Sequence, residues 1–292
     1  MQRAWPAGPP HRIVFLHLDS LCCLPALDYL FSALGNRIGL VISSDRFAGS
    51  SGGFWRQLWR NFSHSGVRMT VALGFDIVAL RIAAHFAAPI RWCFGRQVPL
   101  RTLREHALHV GASYVVSGDI NAPAMLDWLG QFRPDLVISF HFDQILQLSF
   151  LDAAAAPVLN VHPALLPAHR GPCPSFWVLA AGETRSGVTI HRVTDASIDN
   201  GDAVARVECE VPPWISMAEL DGLLFEEGAR SLESLVAKDP GPQGFDPPGR
   251  PRFYESFPDR SAVRAAHRRG VRLWRLSHAL RLLAALFGLS RA

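Results

Sequence analysis

Apolar positions along this chain alternate between two periods. Residues 13–18 (IVFLHL) form a short run rich in β-formers and predict a buried strand. A helical stretch follows, with Leu27, Leu30, Phe31 and Leu34 on one face and Gly35 as its terminator. Residues 38–42 predict a second strand, and the Ser/Gly-rich stretch 43–53 a loop. Strands are predicted again over 112–116, 135–140, 157–162, 187–194 and 203–211. Helices are predicted over 122–132, 142–151, 176–182 and 217–236, with Ser175 as an N-cap and Gly182 as a stop for the third. The run DLVISF lacks alternation, as a central parallel strand would. Strand and helix in turn predict an α/β fold: an open, mostly parallel twisted sheet with helices on both faces. Ligands in such sheets sit beyond the carboxyl ends of the strands.

Two regions depart from that pattern. Residues 54–98 carry Trp55, Trp59, Trp92 and a long apolar run broken by Asp76, Arg81 and His85. A buried or surface-docked helix is expected rather than a membrane span, with 66–98 as a hydrophobic insert that leaves a membrane or partner contact open. Residues 238–251 are Pro/Gly-rich and predict a linker after a domain of residues 1–237. The tail, 252–292, is basic, with eight arginines and one carboxylate from Asp259 on. A helix is expected over 271–287, with Leu273, Leu276, Leu280, Leu283 and Phe287 packed on the main domain. The same basic amphipathic helix allows peripheral membrane contact.

Composition narrows the class. A chain of 292 residues with 49% hydrophobic residues holds a sizeable core, as one domain plus an appendage. A net charge of +4 fits anionic ligands. The five cysteines form no CxxC pair, which predicts free thiols in a reducing compartment, no zinc site and no disulfide framework. Cys22 and Cys23 are expected in core packing, and Cys173 in a turn beside the site. No metal-ligand cluster is expected. The N-terminal residues hold no signal-type apolar run, and the expected location is cytoplasmic.

The candidate chemistry lies in residues 158–202. Asn160 and His162 stand two apart on a predicted strand, so both side chains share a face. An amide N–H and an imidazole can steady an oxyanion, and a carboxylate beside the imidazole can order it and relay a proton. Asp199 supplies that carboxylate if the 195–202 loop folds back over the strand end. Each residue also has a plainer reading: His162 as a structural histidine before Pro163, His191 as a core residue of a strand, Asp199 as a turn residue.

Together these positions resemble the 10-formyltetrahydrofolate-dependent formyltransferases. The resemblance rests on Asn160, His162, Pro163, Leu165, Leu166, Pro167, Arg170, Gly171, Pro174, Trp177, Gly187, Thr189, His191, Asp199 and Gly201, and covers roughly residues 110–236. It implies the Rossmann-like sheet of that family and a catalytic trio of Asn160, His162 and Asp199, with His191 supporting. It implies 10-formyltetrahydrofolate as formyl donor, held near Phe140, Phe142, Gln144, Ile145, Leu146, Thr194 and Asp195. Arg170, Gly171, Pro174 and Trp177 fall on the acceptor side. A protonated His162 would hold the oxyanion with Asn160, without a metal.

The acceptor stays open at this level. A small amine such as a nucleotide-linked amino sugar is expected, because the 56 residues after 236 do not resemble the β-barrel that follows this core in methionyl-tRNA formyltransferases. The segment Tyr254, Phe257, Pro258 resembles that of stand-alone small-amine enzymes. The tail arginines could still contact nucleic-acid phosphates. The same trio would also serve a formyltetrahydrofolate hydrolase, with water as the nucleophile. A non-catalytic module with a basic tail that docks to membrane or nucleic acid is a further reading.

Overall fold

The computed structural model describes residues 3, 5–6, 8–45, 53–95, 100–237 and 254–289. Among the described residues seven strands form one sheet: β1 Ile13–His17, β2 Ile38–Ser44, β3 Ser113–Ser117, β4 Leu136–Phe140, β5 Val158–His162, β6 Arg185–Arg192 and β7 Ala203–Glu210. Their order is β3-β2-β1-β4-β5-β6-β7. The first five run parallel, and β6 and β7 are antiparallel additions at one edge. Every strand that the apolar runs predict is present. From β1 the chain winds outward to β2 and β3, and then returns to place β4 on β1's other side. The crevice between the carboxyl ends of β1 and β4 is therefore the switch point where such sheets take ligands.

β1 and β4 are buried along their whole length, which explains their unbroken apolar sequences. The helices are α1 Leu24–Leu34, α2 Gly53–Cys93, α3 Leu103–Val110, α4 Pro123–Phe132, α5 Leu148–Ala154, α6 Pro174–Ala181, α7 Met217–Ala237, α8 Arg260–Arg268 and α9 Leu276–Leu286. One core joins β1, β4 and β5 to the inner faces of α1 and α7, with Phe15, Phe31, Phe140 and Phe225 among its members. A second core lies on the sheet's other face, against α4 and α5.

Several sequence expectations need correction. Residues 142–147 are not helical; α5 starts at Leu148, because Gln144 is tied to strand ends through the Ser44 hydroxyl, the Ser117 carbonyl and the Ile120 N–H. Ser175 does not cap α6: its hydroxyl donates to Asp221 at 2.6 Å, and left-handed Cys173 is the N-cap. The C-terminal helix spans 276–286, shorter than 271–287, and buries Ala279, Leu282, Ala285 and Leu286. Leu276 and Leu280 face outward, at 74% and 56% exposure. Two helices went unread: α8, capped by Asp259, and α3, opened by a capping box of Thr102 and Glu105. The predicted linker 238–251 lies outside the described residues, as does most of the 43–53 loop; its first two residues instead extend β2.

α2 is the element that shapes the site from outside the sheet. It breaks at Gly66, whose φ of 79° leaves the helical region. By length and composition it could cross a membrane, with 28% of its most apolar stretch buried. One face is nonetheless fixed to the domain. Asp76 accepts the Ser20 hydroxyl at 2.6 Å and the Leu21 N–H at 3.0 Å. The outer face leaves Val71, Ile82, Phe86 and Trp92 exposed. The tail is stitched to the break: Ser65 donates to the Pro258 carbonyl at 2.6 Å, and Arg260 to the Phe62 carbonyl at 2.8 Å.

Candidate active site

β5 and β6 pair in a register that sets Asn160 opposite His191 and His162 opposite Thr189. Cross-strand neighbours share a face, so the four motif residues converge without any loop having to move. Asn160 Oδ1 accepts the Ser139 hydroxyl from β4 at 2.9 Å. Its amide nitrogen donates to His191 Nε2 at 3.0 Å and to Asp199 Oδ1 at 3.2 Å. His191 Nδ1 donates to the Arg192 carbonyl at 3.2 Å, which leaves Nε2 as an acceptor. His162 Nε2 donates to the His169 carbonyl at 2.9 Å, and its Nδ1 lies 3.4 Å from Asp199 Oδ1.

The loop carrying Asp199 does fold back over the strand end. Asp199 adopts a left-handed backbone with φ of 49°. Its Oδ2 accepts the Gly171 N–H at 3.0 Å. Arg170 donates to the Ile198 carbonyl at 2.6 Å and pins the same loop. Three motif positions gain a physical reason here. A Cβ at Gly201 would overlap the Arg192 carbonyl, and one at Gly171 the Glu255 carbonyl. Thr189 is fully buried; it donates to the Ala164 carbonyl at 2.8 Å and accepts the Leu166 N–H at 3.0 Å, which fastens the loop after His162.

Electrostatics separate the pair. Asp199 is buried, but the neighbouring His162 and His191 and the Gly171 N–H hold its carboxyl well below the usual range. Burial pushes His162 down despite the attraction of Asp199. Burial thus favours the neutral imidazole in the resting site, while Asp199 favours the protonated one. The imidazole is placed to take up a proton, with Asp199 ready to hold it.

A cavity of about 450 Å³ opens beside these groups. Asn160, His162, His191 and Asp199 form one wall; Phe142, Gln144, Ile145, Leu146 and Asp195 form another. Phe140 is instead fully buried between Phe15 and Phe225, does not line the cavity, and its carbonyl accepts the His17 Nδ1–H. Thr194 lies on the loop before Asp195 and is not among the cavity-lining residues. Gly171 and Pro174 line the cavity, whereas Arg170 and Trp177 hold backbone: Trp177 Nε1 donates to the Ser256 carbonyl at 3.2 Å.

Other lining groups were not assigned to the cavity by the sequence, though Tyr254 and Phe257 were noted in the tail. Tyr254 and Phe257 come from the tail, which pairs with Arg170 through the Glu255 N–H at 2.8 Å. Asp76 and Asp221 complete the floor; desolvation pushes their carboxyls up to about 6 and about 7. An acid in the middle of an apolar helix was the available signal for Asp76. His141, which follows β4, also lines the floor.

With this geometry in view, comparison with known proteins is specific. Residues 104–232 match the family model described as formyl transferase. A methionyl-tRNA formyltransferase of Syntrophus aciditrophicus is 41% identical over 117 residues, 40% of this chain and 37% of that protein. The matched segment thus spans little more than a third of that relative. Among solved structures, glycinamide ribonucleotide transformylase 1 from Symbiobacterium toebii superposes with a TM-score of 0.51 at 20% identity, covering 79% of this chain and 87% of that one. A sugar N-formyltransferase from Shewanella sp FDAARGOS_354 gives 0.50 at 14% identity, covering 84% and 76%. At those identities the likeness is one of fold. Residues 104–232 are therefore similar in sequence to the formyl transferase family, and the sheet that carries them is similar in fold to that of solved formyltransferases.

Proposed function

We propose that this protein moves a formyl group from 10-formyltetrahydrofolate to the amine of a small molecule. The observation that carries the reading is the convergence of Asn160, His162 and Asp199 on one wall of the cavity, with side-chain separations of 3.2–3.4 Å. The donor supplies an activated formyl carbon. The cavity suits it: Phe142, Ile145 and Leu146 offer an apolar wall for a flat ring, and the 195–198 loop lies beside them.

The chain's own groups then divide the work. The acceptor nitrogen bonds to the formyl carbon, and the bond from that carbon to N10 breaks. Negative charge grows on the formyl oxygen, where the Asn160 amide can donate a hydrogen bond, and His162 holds Asp199 beside it. In the resting site both amide protons of Asn160 are already engaged by His191 and Asp199. A bound formyl oxygen must therefore replace one of those partners. Asp199 accepts the proton leaving the amine, directly or through a water, and passes it on to the departing N10.

A nucleotide-linked amino sugar is the acceptor class favoured here, in keeping with the tail residues Tyr254 and Phe257 in the cavity lining. The likeness to a methionyl-tRNA formyltransferase favours a second reading, in which the amine is that of an aminoacyl-tRNA. The test is calorimetry with a 5-deaza analogue of the donor, followed by acceptor assays with both classes. Micromolar binding that weakens in Asp199→Ala is expected. No binding at millimolar analogue would overturn the reading, and turnover with the charged tRNA alone would replace the sugar by the tRNA.

A further inference from the structure

A second cluster, which formyl transfer leaves unused, lies buried next to the cavity and reaches it through His141. His17 ends β1, Cys23 closes the 3-10 turn Leu21–Cys23, and His141 follows β4, so all three meet at the switch point. One ligand atom from each lies within 4.8 Å of the other two. His17 is fully buried and donates Nδ1–H to the Phe140 carbonyl at 2.6 Å. That bond leaves the Nε2 lone pair pointing into the cluster, where it has no hydrogen-bond partner among the described residues. His141 shares the first half of the arrangement, its Nδ1 donating to the Leu18 carbonyl at 3.1 Å, while its side chain is also hydrogen-bonded to that of Cys23.

A histidine whose Nδ1–H is held by a carbonyl while Nε2 stands free is the usual outer-shell geometry of a metal ligand. An unpaired buried nitrogen costs free energy unless something occupies the site. We propose that His17, Cys23 and His141 bind a thiophilic metal ion, zinc in the first instance. Two imidazoles and one thiolate suit zinc, which takes nitrogen and sulfur ligands in a tetrahedral set. Zinc bonds of about 2.0–2.3 Å place ligand atoms roughly 3.3–3.8 Å apart, so closure by about 1 Å seats the ion.

The surroundings fit a cation. Asp76 braces the turn that carries Cys23 through the Leu21 and Cys22 N–H groups at 3.0 and 3.3 Å. Three protein ligands leave the fourth position for a water or a ligand oxygen. His141, with Cys22 and Asp76, lines the cavity, whereas His17 and Cys23 lie off its surface, so the cluster adjoins the cavity through His141. Cys22 takes no part; its sulfur contacts the Ser20 hydroxyl at 3.0 Å.

The test is titration of the chelator-stripped full chain with cobalt(II) under argon. One ion per chain is expected, with a thiolate-to-cobalt charge-transfer band and the strong visible bands of a four-coordinate ion, both removed by zinc. Cys23→Ser should lose the charge-transfer band, while Cys22→Ser keeps it. His17→Gln should weaken binding at least about 10-fold. Zinc at about 100 times its dissociation constant should raise Tm by roughly 5–10 °C. A featureless titration of folded wild-type protein would overturn the proposal, as would a charge-transfer band that survives in Cys23→Ser.

Discussion

The two sides of the cavity differ in how their polar groups are satisfied. On the β5–β6 wall each motif side chain has a partner: Asn160 holds Asp199 and His191, and His162 holds a carbonyl. On the β1–β4 side His17 Nε2 is buried off the cavity surface, with no partner among the described residues. The first wall draws on the single stretch from Asn160 to Asp199; the other side joins positions 17, 23 and 141. A complete polar network close in sequence is legible as a motif. An incomplete one assembled across the sheet appears only in three dimensions, and its unmet nitrogen points to something still to be bound.

The largest effect that sharpens this contrast is on catalysis. Asn160→Ala, His162→Ala and Asp199→Ala should each lower kcat for formyl transfer at least about 100-fold, the scale of a lost oxyanion donor or acid–base group. Steady-state kinetics with a saturating donor measures this. Near-normal turnover in His162→Ala would move the chemistry to the other side.

Next comes the scaffold of the first wall. Gly171 has φ of 105°, and a Cβ there would meet the Glu255 carbonyl and the Tyr254 ring. Gly171→Ala should destabilise by about 2 kcal/mol or more in urea unfolding, since strain and a backbone clash add. An unchanged midpoint would mean that the tail segment does not press on the site.

Acid should act through buried neutral histidines. Burial lowers His106 to about 3, and it also lowers His162. Each folded pKa lies below the ordinary value near 6.5, so the unfolded chain binds more protons. Their stabilisation is full above about pH 6.5 and is lost as the pH falls toward the folded values. Asp199 adds a further loss below about pH 4, because its folded pKa is depressed as well. Unfolding curves from pH 7 to pH 4 should show falling stability, with a shallower slope in His106→Gln; equal slopes would remove this cause.

The smallest effects belong to the outer faces. Leu276→Ser and Leu280→Ser should change stability by no more than about 0.5 kcal/mol, since both side chains are exposed. Leu282→Ala, on the buried face of α9, should cost about 2–4 kcal/mol. Reversed magnitudes would restore the leucine face read from sequence.

That reversal shows where sequence reading stops. Leu276, Leu280, Leu283 and Phe287 satisfy helical spacing, but of these only Leu283 and Phe287 pack against the core, and α9 buries Ala279, Leu282, Ala285 and Leu286 more fully. Both stripes are apolar, and periodicity cannot choose between them. The run 142–147 failed for another reason: Gln144 has more to gain from the strand ends than from a helix.

The sequence by itself determined the seven strands, the mostly parallel sheet and the polar residues of the first wall. Strand burial writes an unbroken apolar run, and β5 and β6 are neighbours in the chain as well as in the sheet. Tertiary structure alone decided that Asp199 closes over His162, that burial pushes His162 toward the neutral form, and that the tail supplies Tyr254 and Phe257 to the cavity lining. It alone brought His17, Cys23 and His141 together. Those outcomes depend on desolvation and on contacts between distant segments, and neither leaves a local pattern for a linear reading to find.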